Sequence, residues 1–324
     1  MKVAIVYNEP VKGIPDSEDV LNEVSVVVDA LSQKGYEYIT HGISPMGITE
    51  LVNRIRDYSP DVIFNLVEDV KLSVPTTALF ELLHIPYTGS SYESILITTN
   101  KVITKSMFSV HGIPTPKCTV FRPGMVMGHI HPLPAILKPV YEDASVGIDD
   151  ESVVSDINAL MKRLDYMLRR YRQPVLIEEF IDGREFNVSL LERLDGGVEV
   201  LPIAEIIFSD WPMHKPRIVG YRAKWDNSSF EFNNTPRRFN PEDAHVNRLK
   251  EVSLKCWRVF NLKGYARVDM RMDTDGNIYV IEVNANPCIS PDAGFMASAN
   301  EAGYATMDVI ERLLMSATGG VNNS

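Results

Sequence analysis

The segment from Tyr265 to Asn284 restricts the fold more tightly than any other part of the chain: Tyr265-Ala266-Arg267-Val268-Asp269-Met270-Arg271-Met272-Asp273-Thr274-Asp275-Gly276-Asn277-Ile278-Tyr279-Val280-Ile281-Glu282-Val283-Asn284. Asp275-Gly276 between two alternating apolar runs is a signal for a two-residue hairpin turn. With that turn, Thr274 pairs with Asn277 and Asp269 falls opposite Glu282. The binary pattern supports this register, because Ala266, Val268, Met270 and Met272 then share a core face with Tyr279, Ile281 and Val283. The other face gathers Arg267, Asp269, Glu282 and Asn284. Two carboxylates opposed across a ladder repel each other unless a cation lies between them. Two carboxylates and an amide oxygen suit magnesium, a hard ion that keeps waters and takes further ligands from phosphates, and Arg267 would neutralise an anion in the same place. The competing reading is a solvated hairpin face, or salt bridges to Arg267 and Arg271.

Composition narrows the partner. Against 32 Lys and Arg stand 43 Asp and Glu, a net charge of −11, which repels a phosphate backbone and an anionic bilayer alike. Nucleic acid and membrane are therefore excluded as main partners, and a small molecule is expected. The 324 residues suffice for about two domains or one large composite, with a core that needs no staples. Cys118, Cys256 and Cys288 lie far apart without CxxC spacing, which speaks against a disulfide framework and for a reducing compartment. The first ten residues do not read as a signal peptide, and no apolar run approaches the ~18 residues of a membrane span. A cytoplasmic location is expected.

The first third alternates strand and helix. Val3 to Tyr7 is a buried strand, Asp16 to Leu31 a helix with stripe Val20, Val24, Val27 and Leu31, and residues 61–67 a second strand. Thr76 to Leu83 reads as a helix and Ile85 to Gly89 as a third strand, which implies a parallel sheet. No GxGxxG follows the first strand and no GxxxxGK[ST] occurs anywhere, so the familiar phosphate loops are absent. Tyr92 to Val110 reads as one helix. Beyond it strands alternate with a single further long helical segment, Glu151 to Tyr171, so boundaries are expected near residues 93 and 180.

Other chemistry-bearing residues are individually weak. Lys138 ends an apolar strand before a loop, Tyr141 to Gly147, able to offer backbone amides to phosphate, yet a lone strand-end lysine is more often simply exposed, and so is Lys101. Val175 to Ile181 is a buried strand ending in acids, with a backbone suited to an adenine edge. Glu185 follows it, with solvent as the bland alternative. Pro216 to Phe239 reads as a mobile loop that closes over a site and carries Lys224. His129-x-His131 hints at metal but lacks a third ligand.

Taken in order, Asn22-Glu23-Val24-Ser25, Ile85-Pro86-Tyr87-Thr88-Gly89-Ser90, Asn100-Lys101, Leu137-Lys138-Pro139, Ser145-Val146-Gly147, Val175 to Phe180, Ala223-Lys224, Arg267-Val268-Asp269 and Glu282-Val283-Asn284-Ala285-Asn286-Pro287 form a known pattern. The chain resembles the ATP-grasp carboxylate-amine ligases, in the D-alanine-D-alanine ligase-like branch, over nearly its full length. The resemblance implies an α/β N-terminal domain (residues 1–92) and an α+β ATP-grasp body of two lobes, a central one (93–180) and a C-terminal one (181–324) with the metal hairpin and closing loop. It implies that Lys101, Lys138 and Ser145 hold ATP phosphates, with Lys138 also near the adenine. Glu178, the backbones of Glu179 and Ile181, and Glu185 would hold adenine and ribose. Asp269, Glu282 and Asn284 would hold two Mg2+ ions, with Mn2+ as a substitute. Lys224 would reach the terminal phosphate, Arg267 the acyl-phosphate and oxyanion, and Glu23 the ammonium of an amino-acid substrate.

The implied partners are a small carboxylate and an amine, amino acids or a peptide, with a second copy of the chain in a homodimer as a further candidate. Four features depart from the D-alanine ligase pattern, one of them the tail Pro287 to Gly294 after the metal ligands. Asn65-Leu66-Val67-Glu68-Asp69-Val70 lacks its histidine and glycines, Ala144 stands for a serine, and Trp225 for the loop tyrosine. Of the Glu, Ser and Tyr trio around the first subsite only Glu23 remains, so a different substrate pair is expected. The alternatives are an ATP-binding regulator or scaffold without turnover, and an enzyme that stops at the acyl-phosphate.

Overall fold

Strand β1 (Lys2–Asn8) is buried on both faces, as an apolar run flanked by parallel neighbours must be. A computed structural model describes residues 1–125, 133–241 and 244–319; His129 and His131 lie outside the described residues. After β1 come α1 (Pro15–Glu18), α2 (Val20–Gln33), β2 (Glu37–Ile43), α3 (Ile48–Tyr58), β3 (Val62–Leu66) and α4 (Ser73–Leu82). The three strands form a parallel sheet in the order β2-β1-β3. The stretch Ile85 to Gly89, expected as a strand, makes only a single bridge, Ile63 with Tyr87.

The helix expected over Tyr92 to Val110 is two helices, α5 (Tyr92–Thr99) and α6 (Lys101–Val110). Asn100 between them is extended, and its side chain accepts from the amides of Val102 and Ile103. An asparagine that caps a new helix stops the old one. Next come β4 (Cys118–Phe121), β5 (Ala135–Pro139), β6 (Val153–Val154), α7 (Ile157–Tyr171) and β7 (Val175–Glu179). They make an antiparallel sheet, β4-β7-β5-β6. One face of this sheet, Ala135, Leu137, Val175 and Ile177, packs on Leu160, Leu164 and Met167 of α7. By alternation Lys138, Leu176 and Glu178 point the other way.

The last sheet contains β8 (Arg184–Glu192), β9 (Val198–Val200), β10 (Ala204–Ile206), β11 (Arg237–Phe239), β12 (Tyr265–Met272) and β13 (Ile278–Asn284), in the order β11-β10-β8-β12-β13 with β9 on β8. Between β10 and β11 lie α8 (Tyr221–Trp225) and α9 (Phe230–Asn233), so the stretch expected as a mobile loop contains two short helices and ends in β11. Three further helices, α10 (Val246–Val259), α11 (Gly294–Glu301) and α12 (Thr306–Ala317), overturn the expectation of one long helix after residue 110. Leu249 and Cys256 of α10 cover the apolar face of β8 and β12, while α11 and α12 share a core with β1, β3 and α2. The chain thus returns to its first sheet at its end. Among the described residues no helix is long and apolar enough to cross a membrane.

Candidate active site

The β12–β13 hairpin sets the site, by a route the sequence does not display. Asp273 and Asn277 close a three-residue loop in which Gly276 (φ +82) takes the left-handed conformation. The two-residue turn is therefore corrected, and a type I turn with a following glycine is what Thr274-Asp275-Gly276 builds. The outer half of the hairpin pairs Met270 with Val280 and Met272 with Ile278, so Val280 and Ile278, rather than Tyr279 and Ile281, join the core face. A bulge at Ile281 then adds one residue, and Asp269 meets Glu282 after all. Asn187 and Glu185 lie across from Asp269 and Arg271 on β8, which completes one polar face over three strands.

On that face Arg267 donates to both oxygens of Asp269 (2.7 and 2.8 Å), Asn187 donates to Asp269 Oδ1 (2.7 Å), and the Asn284 amide lies 3.2 Å from Asp269 Oδ2 and 3.4 Å from Glu282 Oε1. Burial alone would push the Glu282 carboxyl up, but Lys101, Lys224, Arg267 and Lys138 outweigh it and bring it down to about 2. Glu282 is thus an anion ringed by cations from both lobes. Two carboxylates and an amide, which presents its oxygen after a simple flip, fit a hard divalent ion.

The facing sheet and α6 supply the lysines. Asn100 fixes the start of α6, which aims Lys101 at the Glu142 carbonyl and at Asp143 Oδ1 (3.0 Å). One turn later Lys105 is 7 % exposed and pairs with Glu178 at 2.6 Å, while Lys138 holds the other Glu178 oxygen at 2.9 Å. Burial raises the Glu178 carboxyl, yet the two lysines more than reverse it and leave it below its usual range. Lys105 is a functional candidate missed in the sequence. Its signal was the i,i+4 step from Lys101 along one helix face, with Thr104 and Phe108 buried beside it.

The expected nucleotide contacts also converge. The Glu179 amide is already taken by the Lys117 carbonyl, but that of Ile181 has no partner among the described residues. In the 141–147 loop Ala144 and Ser145 have φ of 52° and 62°, and their amides, with that of Gly147, are likewise unpaired. Such a run of free amides is an anion cradle. Ser145 Oγ donates to the Val219 carbonyl (2.9 Å), which ties this loop to the segment carrying α8. Burial raises the Glu185 carboxyl, against the pull of Arg271. Lys101, Lys138, Glu178, Ile181, Glu185, Lys224, Arg267, Asp269, Glu282 and Asn284 all line one cleft of about 1140 Å³.

Glu23, on α2, is 1 % exposed: the Ile289 amide donates to its Oε2 (2.8 Å), and its Oε1 is buried without a partner. Trp225 of α8 donates its indole N–H to the Ala144 carbonyl (2.9 Å), and Tyr221 donates to Asp16 Oδ1 (2.5 Å). Helix α8 therefore rests on both the 141–147 loop and α1 of the N-terminal unit, with neither contact reaching Glu23.

A parallel α/β unit followed by two antiparallel sheets, their polar faces meeting over lysines on one side and a carboxylate hairpin on the other, defines an ATP-grasp ligase. Residues 112–315 match the family described as D-ala D-ala ligase C-terminus. The chain belongs to the D-alanine-D-alanine ligase family. It is 30% identical over 244 residues to a D-alanine--D-alanine ligase of Geobacter sulfurreducens (74% of this chain, 71% of the relative), and 28% identical over 285 residues to one from Aquifex aeolicus (87% and 91%). An uncharacterized protein of Sinorhizobium fredii is 29% identical over 296 residues (89% and 85%). The fold is shared with the D-alanine--D-alanine ligase of Bacillus anthracis complexed with ATP (TM-score 0.78, 22% identity, 98% and 97% covered) and with the VanG D-Ala:D-Ser ligase of Enterococcus faecalis (TM-score 0.72, 18%, 97% and 98%).

Proposed function

We propose that the protein joins a carboxylate to an amine at the expense of ATP, through an acyl-phosphate, and that its substrates are not two D-alanines. The observation that carries this reading is the single cleft in which three lysines from three elements and Arg267 face the Asp269, Glu282 and Asn284 set. A carboxylate does not react with an amine because oxide is no leaving group; phosphorylated, it has one. The substrate carboxylate attacks the terminal phosphate, and the amine then displaces phosphate through a tetrahedral intermediate.

In this reading Lys101, Lys138 and the loop carrying Ser145 orient the phosphates, the Ile181 amide and the Glu179 backbone take the adenine edge, and Glu178 and Glu185 hold adenine and ribose. Lys224 reaches the transferred phosphate from the lid. Arg267, fixed by Asp269, donates to the oxyanion that develops at the acyl carbon. Asp269, Glu282 and Asn284 would hold Mg2+, which when bound neutralises the phosphate charge. The lid keeps water from the acyl-phosphate.

The substrate pair departs from that of the relatives because Trp225 spends its only donor on the Ala144 backbone and leaves Glu23 Oε1 unpaired. ADP release measured with pairs of amino acids tests the reading, scored by a product mass equal to the sum of the pair less one water. Release that needs both partners supports it. ADP formation with one partner or none, and no amide product, contradicts it.

A further inference from the structure

We infer, building on the ligase reading, that the substrate at the N-terminal end of the cleft carries two cationic groups, as a diamino or other basic amino acid does, held between Glu23, Glu68 and Asp19. An oxygen of Glu23, an oxygen of Glu68 and the sulfur of Cys288 lie within 4.8 Å of one another. Asp19 borders them, accepting at Oδ2 from Ser290 Oγ (2.9 Å) and from Cys288 Sγ (3.2 Å). Glu68, Asp19 and Cys288 line the cleft; Glu23 does not line it but is fully buried in the same cluster, and its Oε1 has no hydrogen-bond partner.

What this corner lacks is positive charge. None of the three carboxylates forms an ion pair among the described residues, and Arg267, whose charge reaches Glu68, is committed to Asp269 by two hydrogen bonds. Burial and mutual repulsion accordingly raise the Glu23 carboxyl far above its usual range and Glu68 to about 8. Carboxyls raised in this way keep their protons while the corner is empty; one ammonium compensates one carboxylate, and a second cation is what allows the next to ionise. A divalent metal fits less well, because the Cys288 thiol is kept protonated, by burial first and then by Glu23 and Glu68, and spends its hydrogen on Asp19.

The test is calorimetric titration of the protein, loaded with Mg2+ and a non-hydrolysable ATP analogue, with both enantiomers of 2,3-diaminopropionate, 2,4-diaminobutyrate, ornithine, lysine and arginine. Each is set against its neutral-side-chain counterpart, norvaline for ornithine. At least one dication is expected to bind roughly tenfold or more tighter than its neutral partner, one charge contact in a desolvated site. In Glu68→Gln that ratio should collapse toward one, while the variant's Tm at pH 8 equals or exceeds that of the parent and so excludes misfolding. Equal binding of all dications and their neutral partners would overturn the inference, and so would an unchanged ratio in Glu68→Gln or stoichiometric binding of Mn2+ or Zn2+ lost in that variant. Tight dication binding without ADP release in any pairing would sink the ligase reading and leave this one standing. ADP release with neutral amino acids and no preference for dications would do the reverse.

Discussion

Glu282 sits where Lys101, Lys224, Arg267 and Lys138 all reach it, so its charge is the point about which both lobes are organised. Glu282→Gln keeps the shape and removes the charge. It should abolish turnover and weaken Mg-ATP far more than metal-free ATP, and calorimetry with and without Mg2+ measures the difference. Lys105→Met tests the buried Lys105–Glu178–Lys138 arrangement. With Glu178 1 % exposed, loss of Lys105 removes one charge-assisted contact and leaves Lys138 as its ion-pair partner, and unfolding by urea should show a loss of about 2 kcal/mol. Lys105 was passed over in the sequence, despite its i,i+4 step from Lys101, because a lysine in a helix usually points to solvent. Glu178 was legible only through the family pattern, because a glutamate at the end of a strand has the same bland alternative.

At the scale of the element the hairpin shows how a pairing can be inferred correctly along an incorrect path. Alternation and Asp275-Gly276 placed Asp269 opposite Glu282, but the three-residue loop shifts the outer pairs by one and the bulge at Ile281 shifts the inner pairs back. Neither irregularity leaves a mark in binary pattern, because Ile278, Tyr279, Val280 and Ile281 are all apolar enough for either face. The break at Asn100 was concealed differently, because apolar residues recur at helical spacing on both sides of Thr98-Thr99-Asn100-Lys101. The lid is the element whose behaviour the structure opens to test. Residues 216–239 should exchange amide hydrogens more slowly with ADP, Mg2+ and a phosphate mimic than without them. Trp225→Phe removes the donor to the Ala144 carbonyl, worth about 1 kcal/mol, and should speed exchange of the bound lid by roughly fivefold. Unaltered rates would mean that this hydrogen bond does not hold the lid.

Across the whole molecule, stability carries the imprint of the acidic corner. Glu68 titrates near 8 when folded against an ordinary glutamate value of 4.5 when unfolded, so between these the folded state binds more protons. Stability contributed by this group therefore falls as pH rises through that window. Glu68→Gln should remove part of the slope, so its Tm gain over the parent is larger at pH 8.5 than at pH 5, read by calorimetry in buffers of matched ionization heat. The return of α11 and α12 to the first sheet couples this corner to the hairpin, since the segment that leaves β13 carries Cys288, Ile289 and Ser290 past Glu23 and Asp19. The first strands and the carboxylate hairpin were legible from periodicity and turn chemistry. This closure was not, because it joins residues more than 260 positions apart. The central claim is that the substrate carboxylate itself attacks ATP. With the carboxylate that supports ADP release labelled in both oxygens with oxygen-18, mass spectrometry of the inorganic phosphate should find one labelled oxygen per phosphate released. Phosphate free of label would contradict the account.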